Sequence, residues 1–301
     1  MPDSVLIIDA MGFIFRSYYA HERMLGAKDQ PTNASFGYLD FLIRAVAYEK
    51  PSHVASVFDS GPKTFRNELY PHYKANRGET PEDLIPQFAQ CEQLTEALGI
   101  RMLKRENYEA DDVMASMAVR CREADMPVII YSSDKDMAQL VDDRLQVYDP
   151  PRQRRYTPRT VRKIFGVKPE QMPDYLALTG DPSDNIPGVP GVGKQTASAL
   201  IAAFGSIQGI YDSLDETATV PVRGAKKLPM LLAEHRDDVQ LFRRLVTLER
   251  GLEFDATPED LRWRGADRPA CEALFDELGF MPFLRFVPRW REDAVVGGGD
   301  G

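Results

Sequence analysis

Val5-Leu6-Ile7-Ile8-Asp9 is a short apolar run with β-branched residues that stops on an acid, and two further stretches share its form: His53-Val54-Ala55-Ser56-Val57-Phe58-Asp59 and Val128-Ile129-Ile130-Tyr131-Ser132-Ser133-Asp134. Runs this short and continuous read as strands buried on both faces. Helical stretches between them make the sheet parallel, and open parallel sheets gather function beyond the carboxyl ends of their strands. Three carboxylates are therefore expected at one sheet edge. Like charges so placed cost free energy unless cations bind them, so the pattern points to divalent metal.

The chain around these runs fits an α/β core. Ala34 to Glu49 is helical by its apolar spacing, with Asn33 as the expected cap. Glu109 to Arg122 places Ala110, Val113, Met114, Met117, Ala118 and Cys121 on one helical face. A strand over Leu145 to Tyr148 precedes the break at Pro150-Pro151, so residues 1–150 are expected to form a mainly parallel sheet flanked by helices. A polar stretch, Gly61 to about Glu82, interrupts that core. Beyond the break, 151–290 reads as a helical domain. Thr157-Pro158 is a cap followed by proline at the first helical position, and Gly166 ends that helix. A helix from about Glu170 to Leu178 stops at Gly180; then Gly188-Val189-Pro190-Gly191-Val192-Gly193 forms a tight hairpin before a helix over Lys194 to Phe204. Helices over Arg236 to Leu248 and Pro269 to Leu278 follow, and the glycine-rich 291–301 is expected to be a flexible tail.

Length suits one large domain or about two. Hydrophobic content of 43% supplies ample core, yet no apolar stretch approaches the roughly 20 residues that span a membrane. The opening residues lack a basic region and cleavage site, so no export signal is expected. Three scattered cysteines, Cys91, Cys121 and Cys271, lack metal-ligand spacing and are expected reduced and packed, in a protein of the bacterial cytoplasm or nucleoid.

The net charge of −9 argues at first against a nucleic-acid partner. Nine carboxylates assigned to metal account for all of that charge, and the basic residues cluster. Lys63, Arg66, Lys74 and Arg77 form one group, Arg152, Arg154, Arg155, Arg159, Arg162 and Lys163 another, and Arg223, Lys226 and Lys227 a third. An acidic centre flanked by basic patches suits a polyanion cut with the help of metal ions. The nine acids fall at element ends: Asp9, Asp59, Glu109, Asp111, Asp112, Asp134, Asp136, Asp181 and Asp184. Individually, acids in a first helical turn favour the helix dipole, and Asp181 with Asp184 has a turn-former's composition. Their convergence points instead to ligands, and oxygen donors without histidine or cysteine select Mg²⁺ or Mn²⁺ over zinc.

Several longer motifs share a likeness. Asp9 with Arg16, Phe65-Arg66-Asn67-Glu68-Leu69-Tyr70-Pro71-His72-Tyr73-Lys74-Ala75-Asn76-Arg77, Glu109-Ala110-Asp111-Asp112, Ser133-Asp134-Lys135-Asp136-Met137-Ala138-Gln139-Leu140 and Gly180-Asp181-Pro182-Ser183-Asp184-Asn185 through Lys194 occur in that order. In this the chain resembles the 5′-nuclease (flap endonuclease) family, and within it the 5′–3′ exonuclease domain of bacterial DNA polymerase I, of which it is expected to be a stand-alone relative. The likeness runs from about residue 4 to beyond 280. Ala10 departs from the family's usual glycine after the first aspartate, which removes no ligand.

The resemblance implies a PIN-like α/β core with a helical arch (about 62–90) and a helical domain with a helix–hairpin–helix-type DNA-binding motif. It implies two Mg²⁺ ions, for which Mn²⁺ substitutes: Asp9, Asp59, Glu109, Asp111 and Asp112 serve chiefly the first, while Asp134, Asp136, Asp181 and Asp184 extend the site to the second. Lys74 and Arg77 would offset charge on the scissile phosphate. Arg66 and Arg16 would hold neighbouring phosphates, and Tyr73 would stack on the terminal base unless it packs in the core. Gly188, Gly191, Val192, Gly193, Lys194 and Gln195 would grip the duplex backbone, with K⁺ on the carbonyls of that hairpin. The expected substrate is branched or 5′-ended DNA (flap, nick, RNA–DNA primer), handled by a monomer in one pathway with a DNA polymerase. The rivals are a PIN-class single-strand ribonuclease, which would not need the glycine hairpin, and a non-catalytic binder of branched DNA, which would not need every acid.

Overall fold

The computed structural model describes residues 3–291, so the expected tail lies outside the described residues apart from Arg291. The chain packs as two compact units built from interleaved segments. Among the described residues, one draws on 3–60, 79–132 and 250–291, the other on Gly61–Gly78 and Ser133–Glu249.

In chain order, β1 (Val5–Asp9), α1 (Ala10–Ala20), α2 (Asn33–Glu49) and β2 (His53–Val57) open the first unit. The short α3 (Phe65–Leu69) belongs to the second, after which α4 (Ile85–Ala97), β3 (Arg101–Leu103), α5 (Ala110–Glu123) and β4 (Val128–Tyr131) return to the first. The second unit continues with β5 (Leu145–Asp149), β6 (Arg154–Tyr156), α6 (Pro158–Phe165), α7 (Met172–Thr179) and α8 (Lys194–Phe204). It ends with α9 (Ile207–Asp212), α10 (Leu228–Glu234) and α11 (Arg236–Val246), and α12 (Arg268–Leu278) closes the first unit.

The first unit holds four parallel strands in the order β3-β2-β1-β4. Ile7 pairs with Ala55 on one side and Ile130 on the other, all fully buried. Helices cover such sheets on both faces, which is why the strands are continuous apolar runs and show no alternation. Phe13 of α1 stacks on Phe41 of α2 with ring centroids 3.7 Å apart. The face expected on α5 is buried throughout, and Ser116 is buried as well, its Oγ accepting the Leu252 amide at 3.2 Å. All three cysteines are buried and free, and burial pushes the Cys121 and Cys271 thiols up to about 12.

In the second unit β5 and β6 pair antiparallel, Val147 opposite Tyr156. β6 went unread in the sequence because its three residues are two arginines and a tyrosine inside a basic run; β5 supplies the pairing that propensity does not. Thr157 caps α6, accepting from the Thr160 amide at 3.3 Å, and Gly166 ends it at φ 76°. The helix read from Glu170 begins instead as a 3-10 turn (Pro169–Gln171), and α7 starts at Met172 with Pro173 in its first turn. Asn33 is not a cap: Thr32 holds that position, and the Asn33 amide donates to the Tyr18 carbonyl at 3.0 Å.

Tyr38 is one of the polar points in the first unit's core. It is fully buried, and its hydroxyl lies 2.8 Å from Ser56 Oγ and 2.9 Å from Thr95 Oγ1. Tyr38→Phe leaves those two hydroxyls short of a partner, and the expected cost is about 1–2 kcal/mol. Denaturant unfolding checks this: the midpoint falls while the slope stays as in the parent.

Candidate metal centre

Two glycines shape the turn that follows α7. Gly180 has φ 73°, and a Cβ there would lie 2.5 Å from the Ile186 carbonyl oxygen. Gly188 has φ 67°, and its Cβ would meet the Gly180 nitrogen at 2.3 Å. No L side chain fits either place. Between them Asp181 and Ile186 exchange backbone hydrogen bonds of 2.7 and 2.9 Å, closing a tight loop. Asp181 Oδ1 accepts from the Ser183 amide (3.0 Å) and hydroxyl (2.6 Å), so its second oxygen is aimed by the turn. Asp134 works likewise: its Oδ1 accepts the Asp136 amide at 2.8 Å and starts the 3-10 turn Lys135–Leu140.

These turns bring Asp136, Asp181 and Asp184 together, one oxygen from each within 4.8 Å of the others. All three are more than nine-tenths buried. Burial raises the Asp136 carboxyl well above the usual range, and the negative charges of Asp134, Asp181 and Asp184 add to this against Lys135. Its Oδ1 is buried without a hydrogen-bond partner among the described residues. Burial works in the same sense on Asp181, but hydrogen bonds from Lys135 and Ser183 outweigh it and hold that carboxyl below its ordinary value. Lys135 Nζ bonds Asp181 Oδ2 and lies 3.5 Å from Asp136 Oδ1.

Asp184 faces a basic turn. Its Oδ1 accepts from Arg77 at 3.2 Å and lies 3.8 Å from Lys74 Nζ, and its Oδ2 accepts the Tyr73 hydroxyl at 3.0 Å. Three backbone contacts lace the two turns: the Lys74 amide to the Asp184 carbonyl (3.0 Å), Asn76 Nδ2 to the Pro182 carbonyl (2.9 Å) and Asn185 Nδ2 to the His72 carbonyl (2.8 Å). The asparagines and Lys135 were missed by the sequence reading. Only Lys135 left a signal there, as the cation between two acids.

Two expected phosphate or base contacts are corrected. Arg66 is 1% exposed, and its guanidinium donates to the carbonyls of Leu245 (2.7 Å) and Thr247 (3.2 Å). It satisfies the C-terminal end of α11 rather than facing a phosphate. Tyr73 is 3% exposed, so the packing alternative holds: its ring is buried, and no face is presented to a base. Arg16 is exposed on α1, as a phosphate contact requires.

The remaining acids lie in the first unit. Asp9 ends β1 and caps α1, its Oδ1 accepting the Gly12 amide at 2.9 Å and its Oδ2 the Ser132 hydroxyl at 3.0 Å. Asp59 Oδ1 accepts the Ala110 amide at 2.7 Å, which ties β2 to the start of α5. Glu109 caps α5 and Asp111 is half-buried in its first turn. Asp112 is fully buried, and its Oδ2 accepts the Glu109 amide at 3.3 Å, a capping contact. No three of these five bring oxygens as close as the trio does, among the described residues. In the glycine hairpin Gly188 and Val192 are buried, and the Val192 amide is spent on the Val189 carbonyl at 2.9 Å. Gly191, Gly193, Lys194 and Gln195 are exposed where α8 begins.

Comparison with known proteins places this arrangement. Residues 4–166 match the 5′-3′ exonuclease N-terminal resolvase-like domain, and residues 167–269 the 5′-3′ exonuclease C-terminal SAM fold. The chain belongs to the 5′-3′ exonuclease family, as its motifs indicated. It is 33% identical over 286 residues to a 5′-3′ exonuclease of Aquifex aeolicus, covering 95% of this chain and 96% of that protein. It is 38% identical over 295 residues to DNA polymerase I of Pseudomonas aeruginosa, covering 98% of this chain and 32% of the polymerase. The chain thus spans about a third of the length of the DNA polymerase I relatives it matches. Among solved structures, the T5 D15 protein co-crystallized with metal ions matches with a TM-score of 0.68 at 20% identity, covering 97% of this chain and 98% of that one, a likeness of fold.

Two outcomes follow from the site's energetics. Arg66→Met strands the buried Leu245 carbonyl and the part-buried Thr247 carbonyl and is expected to cost about 2–4 kcal/mol of stability, read by denaturant unfolding. For Asp136 the sign runs the other way. A carboxyl whose folded pKa is raised binds its proton more tightly folded than unfolded, so stability is lost as pH rises from the ordinary carboxylate value through the folded one. Metal-free Asp136→Asn therefore melts above the parent at neutral pH, and the gap closes in acid. A variant that melts lower at neutral pH contradicts this.

Proposed function

We propose that this chain is a structure-specific 5′-nuclease that hydrolyses DNA phosphodiesters at or near a free 5′ end, uses Mg²⁺ or Mn²⁺, and leaves 5′-phosphate products. One observation carries the reading. In a chain of the 5′-3′ exonuclease family, Asp136, Asp181 and Asp184 meet within 4.8 Å while Lys74 and Arg77 are held on Asp184.

The residues fit a hard divalent cation. All three donors are carboxylates, and a buried Asp136 oxygen has no hydrogen-bond partner among the described residues. Asp181, Asp184, Asp136 and the adjoining Asp134 would hold such an ion. Asp9, Asp59, Glu109 and Asp111 would hold a further one, with Asp112 positioning the Glu109 turn. When bound, these ions acidify water and offset charge on phosphate oxygens.

The chain's own side chains supply the rest. Arg77, with its side chain 56% exposed, reaches from Asp184 toward solvent and can donate to a phosphate oxygen; Lys74 adds a second positive charge beside it. Arg16 would meet a neighbouring phosphate. Gly193, Lys194 and Gln195 are exposed residues at the start of α8, and the backbone amides of a helix N-terminus suit a phosphate backbone. Such contacts carry no base information, so substrate choice would follow DNA shape and a free end admitted by the stretch 62–84. Carbonyls of the 188–194 hairpin would hold K⁺. A DNA polymerase would act on the same substrates.

The test compares 5′-labelled flap, nicked and blunt duplex DNA with single-stranded RNA in Mg²⁺. Cleavage of the DNA substrates that stops on chelation is expected, and Asp181→Asn should lower it about 10²–10³-fold while DNA binding in Ca²⁺ persists. Preference for RNA, or DNA binding without cleavage, contradicts the reading.

A further inference from the structure

Lys135 stands between two acids in Asp134-Lys135-Asp136, and nothing in the proposed reaction uses it. Asp134 caps the turn that Lys135 opens, and the turn sends the ammonium back across the acid trio. There Nζ bonds Asp181 Oδ2 and lies 3.5 Å from Asp136 Oδ1. Lys74 and Arg77 meet Asp184 instead. The trio's three carboxyl groups thus face three cations of the chain, and Lys135 is the one that Asp136 and Asp181 share.

We infer that Lys135 is a tethered counter-cation: it neutralises Asp136 and Asp181 while no divalent ion is bound, and it must leave them when one binds. This rests on the trio being the metal site proposed above. A divalent ion held by Asp181 and Asp136 would use the oxygens the ammonium now occupies, and like charges at that separation repel strongly away from bulk water. The ammonium has somewhere to go. Its side chain is 35% exposed on a flexible four-carbon stem, so it can swing to solvent. Metal binding is then an exchange, and its affinity is the difference between two cations. The exchange also favours divalent over monovalent ions. Na⁺ or K⁺ brings the carboxylates no more charge than the ammonium it would displace, and pays for its own dehydration besides.

The test is Mn²⁺ binding to the full chain without DNA, followed by electron paramagnetic resonance and restricted to the ion that Asp136→Asn loses. Lys135→Met is expected to bind that ion about tenfold more tightly than the parent and to melt at a lower temperature in chelator. Lys135→Gln removes the charge but keeps a polar N–H donor on a shorter stem, so it carries the comparison should Lys135→Met not fold. Lys135→Arg keeps the charge and should show no gain. Unchanged or weaker affinity in the neutral variants overturns the role given to Lys135. A parent chain with no Asp136-dependent Mn²⁺ overturns the metal site itself, and the inference with it.

Discussion

Carboxylates that crowd into a half-dry turn repel one another and lose their water, and the second unit is organised around that difficulty. Asp136, Asp181 and Asp184 hold oxygens within 4.8 Å of one another although each is nearly buried. Burial and mutual repulsion both favour protonation, and the response differs by residue. Hydrogen bonds from Lys135 and Ser183 hold the Asp181 carboxyl below its ordinary value; Asp136 Oδ1 has no hydrogen bond among the described residues, and its carboxyl is raised. An arrangement that leaves one buried oxygen unsatisfied is poor packing for its own sake, and it suits a cation that would supply what the protein withholds.

Backbone geometry keeps that arrangement in place. Gly180 and Gly188 approach too closely for any side chain, and the loop between them is pinned by the Asp181–Ile186 pair. The turn at 72–77 is then laced to it by the Lys74 amide, Asn76 and Asn185. Acids and bases distant in sequence are thereby held in one register. Arg66 serves the same unit by fastening α3 to carbonyls at the C-terminal end of α11. In the first unit the same logic operates through caps: Asp9 on α1, Asp59 on the first amide of α5, and Asp112 on the amide of Glu109.

Much of this was legible in the sequence, and the reason is local. β1, β2 and β4 are continuous apolar runs because both faces are covered, and the ends of α6 carry their own signals in Thr157-Pro158 and Gly166. The glycine turn was likewise readable, since its conformation depends on residue type. What failed depends on partners far along the chain. β6 exists through its pairing with β5, and Asn33 lost the cap position to Thr32 when its amide met Tyr18. Arg66 and Tyr73 look like exposed binding residues in a polar stretch, yet α11 and Asp184 bury them. Carboxylates were easier to place than arginines because repulsion leaves few structural reasons to gather them.

The central claim is that Asp136, Asp181 and Asp184 form a divalent-cation site. Anomalous diffraction from crystals of the chain soaked in Mn²⁺ tests it most directly. The account predicts a peak among the three carboxylates, with Lys135 Nζ moved off Asp181. A map with no peak there, and the ammonium still bonded to Asp181, would contradict it.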